Sequence, residues 1–91
     1  MKRTRGMLLV AAMAGALLVS AADKLHNARS ILADFRRHGE QVFTRFNAGR
    51  EGTLWYYRAL VGVFRATGDA RIAPLVDELD RVVTELETLV E

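Results

Sequence analysis

Apolar residues recur at intervals of three and four along most of the chain, and no stretch alternates with a period of two. Leu18, Ala21, Ala22, Leu25, Ala28 and Leu32 make one such stripe, on a helix running from about Met7. Gly15 interrupts it at a cost of about 1 kcal/mol relative to alanine and could mark a bend. Arg36, Arg37 and His38 suit the negative end of that helix, and Gly39 suits the position just past it. Residues 40–46 form a short helix that Val42, Phe43 and Phe46 can staple to a core. Residues 47–52, with two glycines, read as a loop, and Thr53 as the cap of a third helix ending near Ala66. Its stripe is Leu54, Tyr57, Leu60, Val61 and Phe64, with Trp55 and Tyr56 off it. A turn at Thr67, Gly68 and Asp69 follows. The last helix begins near Ala73, because Pro74 is tolerated in a first turn. Ile72, Leu75, Val76, Leu79, Val82, Val83, Leu86, Leu89 and Val90 form its apolar face; Asp77, Glu78, Asp80 and Glu85 form a solvated one. The pattern predicts an all-α protein of four helices, three of them long.

Composition narrows this further. Ninety-one residues make one small domain, and 51% hydrophobic content with a single proline suits packing rather than disorder. With no cysteine, disulfide scaffolds and thiolate zinc sites are excluded. The net charge of +2 conceals a division. Through Arg71 there are 12 Lys and Arg against 5 Asp and Glu; from Ile72 onward there is 1 against 6. A basic body can attract a phosphorylated ligand, or it can be scattered arginine that keeps a helical domain in solution.

Residues 1–22 are open to two readings. A basic start, an uncharged run from Met7 to Val19 and small residues at Ser20, Ala21 and Ala22 have the three-part form of a secretory signal. The run is short for a membrane span. However, the apolar stripe continues across the would-be cleavage site, which predicts one unbroken helix from Leu17 to Leu32.

The candidate chemistry is concentrated in Ala22-Asp23-Lys24-Leu25-His26-Asn27-Ala28-Arg29. Asp23 and Asn27 are four apart and share a helix face, so a carboxylate stands one turn from an amide that both donates and accepts. The pair can hold a metal and a polar ligand, or simply solvate a helix flank. Arg50 can fork onto a phosphate or pair with Glu51. His38 reads as a charge partner of a helix end, and Trp55 as packing. Either Tyr56 or Tyr57 can pack its ring and offer its hydroxyl to a ligand.

That segment resembles the Ala-Asp-Lys/Arg-Leu-His-Asn-x-Arg motif of HD-domain phosphohydrolases of the RelA/SpoT type, which remove pyrophosphate from guanosine tetra- and pentaphosphate. The resemblance extends through residues 30–37, Phe46-Asn47-Ala48-Gly49-Arg50-Glu51-Gly52, Leu54-Trp55-Tyr56-Tyr57-Arg58-Ala59-Leu60 and the acidic last helix. It implies the C-terminal half of an HD-type helical bundle over residues 16–91, with residues 1–15 an unassigned apolar segment, signal-like or a replaced start. It implies Asp23 as the catalytic and manganese-binding carboxylate and Asn27 as a nucleotide contact. It also implies one of Tyr56 and Tyr57 in the nucleotide pocket; in an enzyme of this kind Arg29 and Arg50 can balance phosphate charge. The family's other metal ligands, an early His and a His-Asp dyad, precede this motif, and here no His or Asp precedes Asp23. A lone carboxylate does not hold a transition ion, so the expectation is a cytoplasmic, incomplete HD-type bundle, inactive alone toward a guanosine polyphosphate. Two other functions fit the residues. One is a helical module that oligomerises or binds partner helices, with Met7–Val19 at the contact. The other is a small exported helical protein. Neither a nucleic acid polymer nor a membrane is expected as a partner.

Overall fold

The computed structural model describes the backbone of residues 2–91 and the side chains of residues 15–91. Three α-helices carry the fold: α1 (Lys2–His38), α2 (Gly49–Ala66) and α3 (Ala73–Leu89). The described residues contain no strand. The short fourth helix expected over 40–46 is a seven-residue 3-10 segment, Gly39–Arg45.

At 1.5 Å per residue, the 37 residues of α1 extend roughly 55 Å, about twice the length of α2 or α3. The helix runs unbroken through Gly15 and across the stretch from Leu17 to Leu32. It stops where the sequence says it should. Gly39 takes φ +66°, a left-handed conformation that alanine adopts only at a cost of about 1–2 kcal/mol. The chain then turns back through the 3-10 segment, whose Val42 and Phe43 are buried, with Phe46 packed against the core. Phe35 and Phe43 meet ring to ring at 5.9 Å.

The core is one cluster. α1 contributes Ala21, Leu25, Ala28, Ile31 and Leu32, α2 contributes Tyr57, Val61 and Phe64, and α3 contributes Val76, Leu79, Val82, Val83 and Leu86. Small side chains at Ala21 and Ala28 let α3 lie close to α1. Several sequence assignments shift. Ala22 and Leu18 are exposed rather than buried, and Ile31 fills the face instead. On α3, Leu89 is exposed and Leu75 and Val90 are only partly covered.

The loop expected at 47–52 is a correction of more consequence. Helix α2 begins at Gly49, four residues before Thr53, so only the turn around Phe46, Asn47 and Ala48 is non-helical. Thr53 is a buried helix-interior residue rather than a cap. Two physical features allow the early start. Gly49, at φ +68°, reverses the chain without a side-chain clash, and Glu51 places a carboxylate in the first turn, where the helix dipole favours it.

The charge division along the sequence is resolved internally. Arg29 and Arg36 of α1 bond Glu78 and Glu85 of α3, while Arg58 and Arg65 of α2 bond Asp77, Asp80 and Glu87. The acidic face of α3, expected to be solvated, is therefore flanked on both sides by arginine. Hydrogen bonds from Arg58, and then Arg65, hold the Asp80 carboxyl at about 2. Arg81 and then Arg29 do the same for Glu78, also at about 2. The turn into α3 is tied by Asp69, which accepts the Arg71 backbone N–H at 2.9 Å and is held below the usual carboxylate range by it. Pro74 occupies the first turn of α3, as its missing N–H requires.

The unassigned segment 1–15 and the contact expected at Met7–Val19 lie, as far as Ala14, outside the residues whose side chains are described. Beyond it, Leu18 and Val19 are exposed. Among the described residues no helix is long and apolar enough to cross a membrane.

Candidate functional site

Two adjoining depressions lie where α1, the 3-10 segment and α2 meet, and they share Arg45, Phe46 and Tyr57 as a common wall. The smaller, about 360 Å³, is bordered on α1 by Asn27, Ser30, Ile31 and Asp34. The larger, about 560 Å³, is bordered by Asn47, Ala48, Gly52, Thr53, Trp55 and Tyr56. The early start of α2 makes the second one. By folding residues 49–52 into the helix, the chain leaves only a tight turn at residues 46–48, and that turn forms one rim.

Tyr57 thus borders both depressions, with Asn27, about thirty positions earlier in sequence, on the smaller one and Tyr56 on the larger. Tyr57 is 7% exposed, and burial, followed by the neighbouring Tyr56, raises its phenol above the ordinary value of 10.0. At pH near neutral it is a hydrogen-bond donor and not an anion. Tyr56 is 42% exposed and meets Tyr57 edge to face, with ring centroids 5.3 Å apart at 83°. The Lys24 ammonium sits 5.9 Å from the Tyr56 ring. It has no carboxylate partner among the described residues, so it is an uncommitted positive charge beside Tyr56.

Arg50 is not part of this constellation. Its guanidinium lies 3.2 Å from Glu40 and 3.9 Å from Glu51. Arg29 likewise bonds Glu78, 3.2 Å away on α3. The positive charge on the shared wall comes from Arg45, while Lys24 lines neither depression and approaches only the Tyr56 ring. The sequence reading had singled out neither. Arg45 is anchored by Asp34 at 3.0 Å and stacks over Phe46 at 5.8 Å. Lys24 could have been found, since it stands three residues before Asn27 on the same helix flank. Arg45 could not, because its position depends on how the 3-10 segment folds back.

Asp23 is exposed on α1 and makes no ion pair among the described residues. The neighbours it could recruit on its own helix are His26 and Asn27, both exposed. Among the described residues no three His, Cys, Asp or Glu side chains converge on one point. Manganese needs several nitrogen and oxygen ligands in a fixed geometry, and this donor set does not fit it. What the groove can do chemically is hold a flat ring against Phe46, Trp55 and the tyrosines, with Lys24 beside Tyr56 to meet a negative group.

No family model, curated protein or solved structure matches this chain. The groove and the motifs that converge on it therefore carry the functional reading.

Proposed function

We propose that this chain presents the nucleotide-contacting face of an HD-type guanosine polyphosphate phosphohydrolase, and binds such a nucleotide without hydrolysing it by its own residues. The observation that supports this best is that Asn27 and Tyr57, the first assigned to the nucleotide by the motif resemblance and the second one of its two candidate tyrosines, border the same depression, with Tyr56 on the adjoining one. An incomplete HD-type bundle is the fold that this reading requires of α1, the 3-10 segment, α2 and α3. In this reading Asn27 hydrogen-bonds the base or sugar, the aromatic wall covers the ring, and Lys24 rather than Arg29 or Arg50 meets the phosphates. Asp23 retains the place of a metal ligand in the motif, but with no converging partners no hydrolytic step is assigned to it. A cytoplasmic location goes with this reading.

A nucleic acid polymer is disfavoured by the pairing of Arg29, Arg36, Arg58 and Arg65 with α3, which removes most of the basic face that the sequence suggests. A second reading, a helical association module, is favoured by one observation: Leu18 and Val19 remain exposed on α1, the latter at 60%.

Calorimetric titration with guanosine tetraphosphate tests the proposal. Saturable binding without manganese is expected, weakened about tenfold in Asn27→Ala by loss of one hydrogen-bonding group. Absence of saturable binding refutes it. So does manganese-dependent release of pyrophosphate that disappears in Asp23→Asn.

A further inference from the structure

Trp55 is the single tryptophan of the chain, and among the described residues it is the most exposed large hydrophobic side chain, at 72%. The sequence pattern assigned it to packing; the structure leaves it on the rim of the larger depression instead. Each neighbouring ring on that wall already has a partner. Phe46 is covered by the Arg45 guanidinium, and Tyr56 is engaged by Tyr57 on one side and Lys24 on another. The indole alone has neither an aromatic nor a cationic partner among the described residues. A covered aromatic side chain removes roughly 150–250 Å² from water, so an indole left bare beside a groove forgoes most of that stabilisation until something flat covers it.

We infer that Trp55 is the stacking platform for the purine ring of the bound nucleotide, a contact that the motif comparison does not assign. The inference rests on the nucleotide reading and deepens it. The geometry separates the two ends of the ligand. Trp55 and Asn47 both border the larger depression, which offers a planar base an aromatic ring and an amide that can both donate and accept. The Lys24 ammonium, on α1 and 5.9 Å from the Tyr56 ring, takes the phosphates. A base stacked on indole gains affinity with little dependence on which purine it is. Trp55 therefore sets how tightly a nucleoside is held, and Asn47, on the same depression, sets which one.

Because the chain has one tryptophan, its intrinsic fluorescence reports on this contact directly. Titration of the full chain with guanosine tetraphosphate is expected to quench the emission with the same midpoint as the calorimetric isotherm, whereas inorganic pyrophosphate leaves it unchanged. Trp55→Ala is expected to lose about tenfold in affinity, and Trp55→Phe, which keeps a ring, to recover most of it. Both substitutions are on the surface, and circular dichroism checks that the helices persist. If wild type binds saturably and Trp55→Ala binds as well, the stacking role is overturned and the nucleotide reading survives. If wild type shows no saturable binding, both fall. Quenching that follows protein concentration rather than nucleotide overturns the inference, by showing that a second copy covers the indole.

Discussion

Replacing Arg58 by Met keeps an unbranched stem on α2 and removes the guanidinium that ties α2 to α3. That guanidinium donates to Asp80 at 2.7 Å, to Thr84 at 2.9 Å and to Glu87 at 2.6 and 3.3 Å. Asp80 keeps a second arginine, Arg65, at 2.8 Å, whereas Glu87 has no other ion-pair partner among the described residues. All three charged side chains are a third or more exposed to solvent. The cost is therefore not the 3–5 kcal/mol of an orphaned buried charge. An exposed pair contributes about 0–1 kcal/mol, and a forked network of two pairs with good geometry brings the expected loss to ~1–2 kcal/mol. The pH dependence gives an independent check. Asp80 falls from its ordinary 3.8 to about 2, chiefly through Arg58. A carboxyl lowered on folding contributes stability that is complete above its unfolded value and is lost as the pH falls toward the folded one. The wild-type advantage over Arg58→Met should thus be full near pH 7 and shrink between about pH 4 and pH 2. Urea unfolding followed by circular dichroism across that range measures both quantities. A difference below about 0.3 kcal/mol near neutrality, or one that does not change with acid, would refute the account of α3 as a helix held by flanking arginines.

Three other substitutions or additions probe the same packing and charge. In Gly52→Ala the new Cβ would sit 2.6 Å from the Ala48 Cβ; despite alanine's helix preference, a loss of about 1–3 kcal/mol is expected. Ala48→Gly should rescue it, and a higher melting temperature for Gly52→Ala alone would show that the turn before α2 yields easily. Leu79→Ala, at a side chain 1% exposed in the centre of α3, should cost about 2–5 kcal/mol in chemical denaturation. Manganese should leave the melting temperature unchanged in both wild type and Asp23→Asn; an upward shift confined to wild type would mean that a ligand set assembles around Asp23 after all.

Much of the helical framework is written in local periodicity, because a helix needs only its own residues to place an apolar stripe and to end. The stop at Gly39, the unbroken run from Leu17 to Leu32 and the entry of α3 at Pro74 all belong to this class. The wrong boundary at Thr53 shows the limit. Two glycines near Asn47 look like a loop locally, yet packing of Phe46 and Thr53 against the core draws residues 49–52 into α2. The candidate site divides in the same way. Asp23 and Asn27 share a helix face by spacing alone, so their neighbourhood was legible. That Asn27 borders the same groove as Tyr57 depends on how α1, the 3-10 segment and α2 pack, and that Arg50 turns to Glu40 depends on where the segment returns. Composition stated that the chain is basic before Ile72 and acidic after it. Only the tertiary structure decided that the arginines of α1 and α2 bond α3. Coulomb attraction acts through space, and which charges meet is set by helix packing rather than by position along the chain.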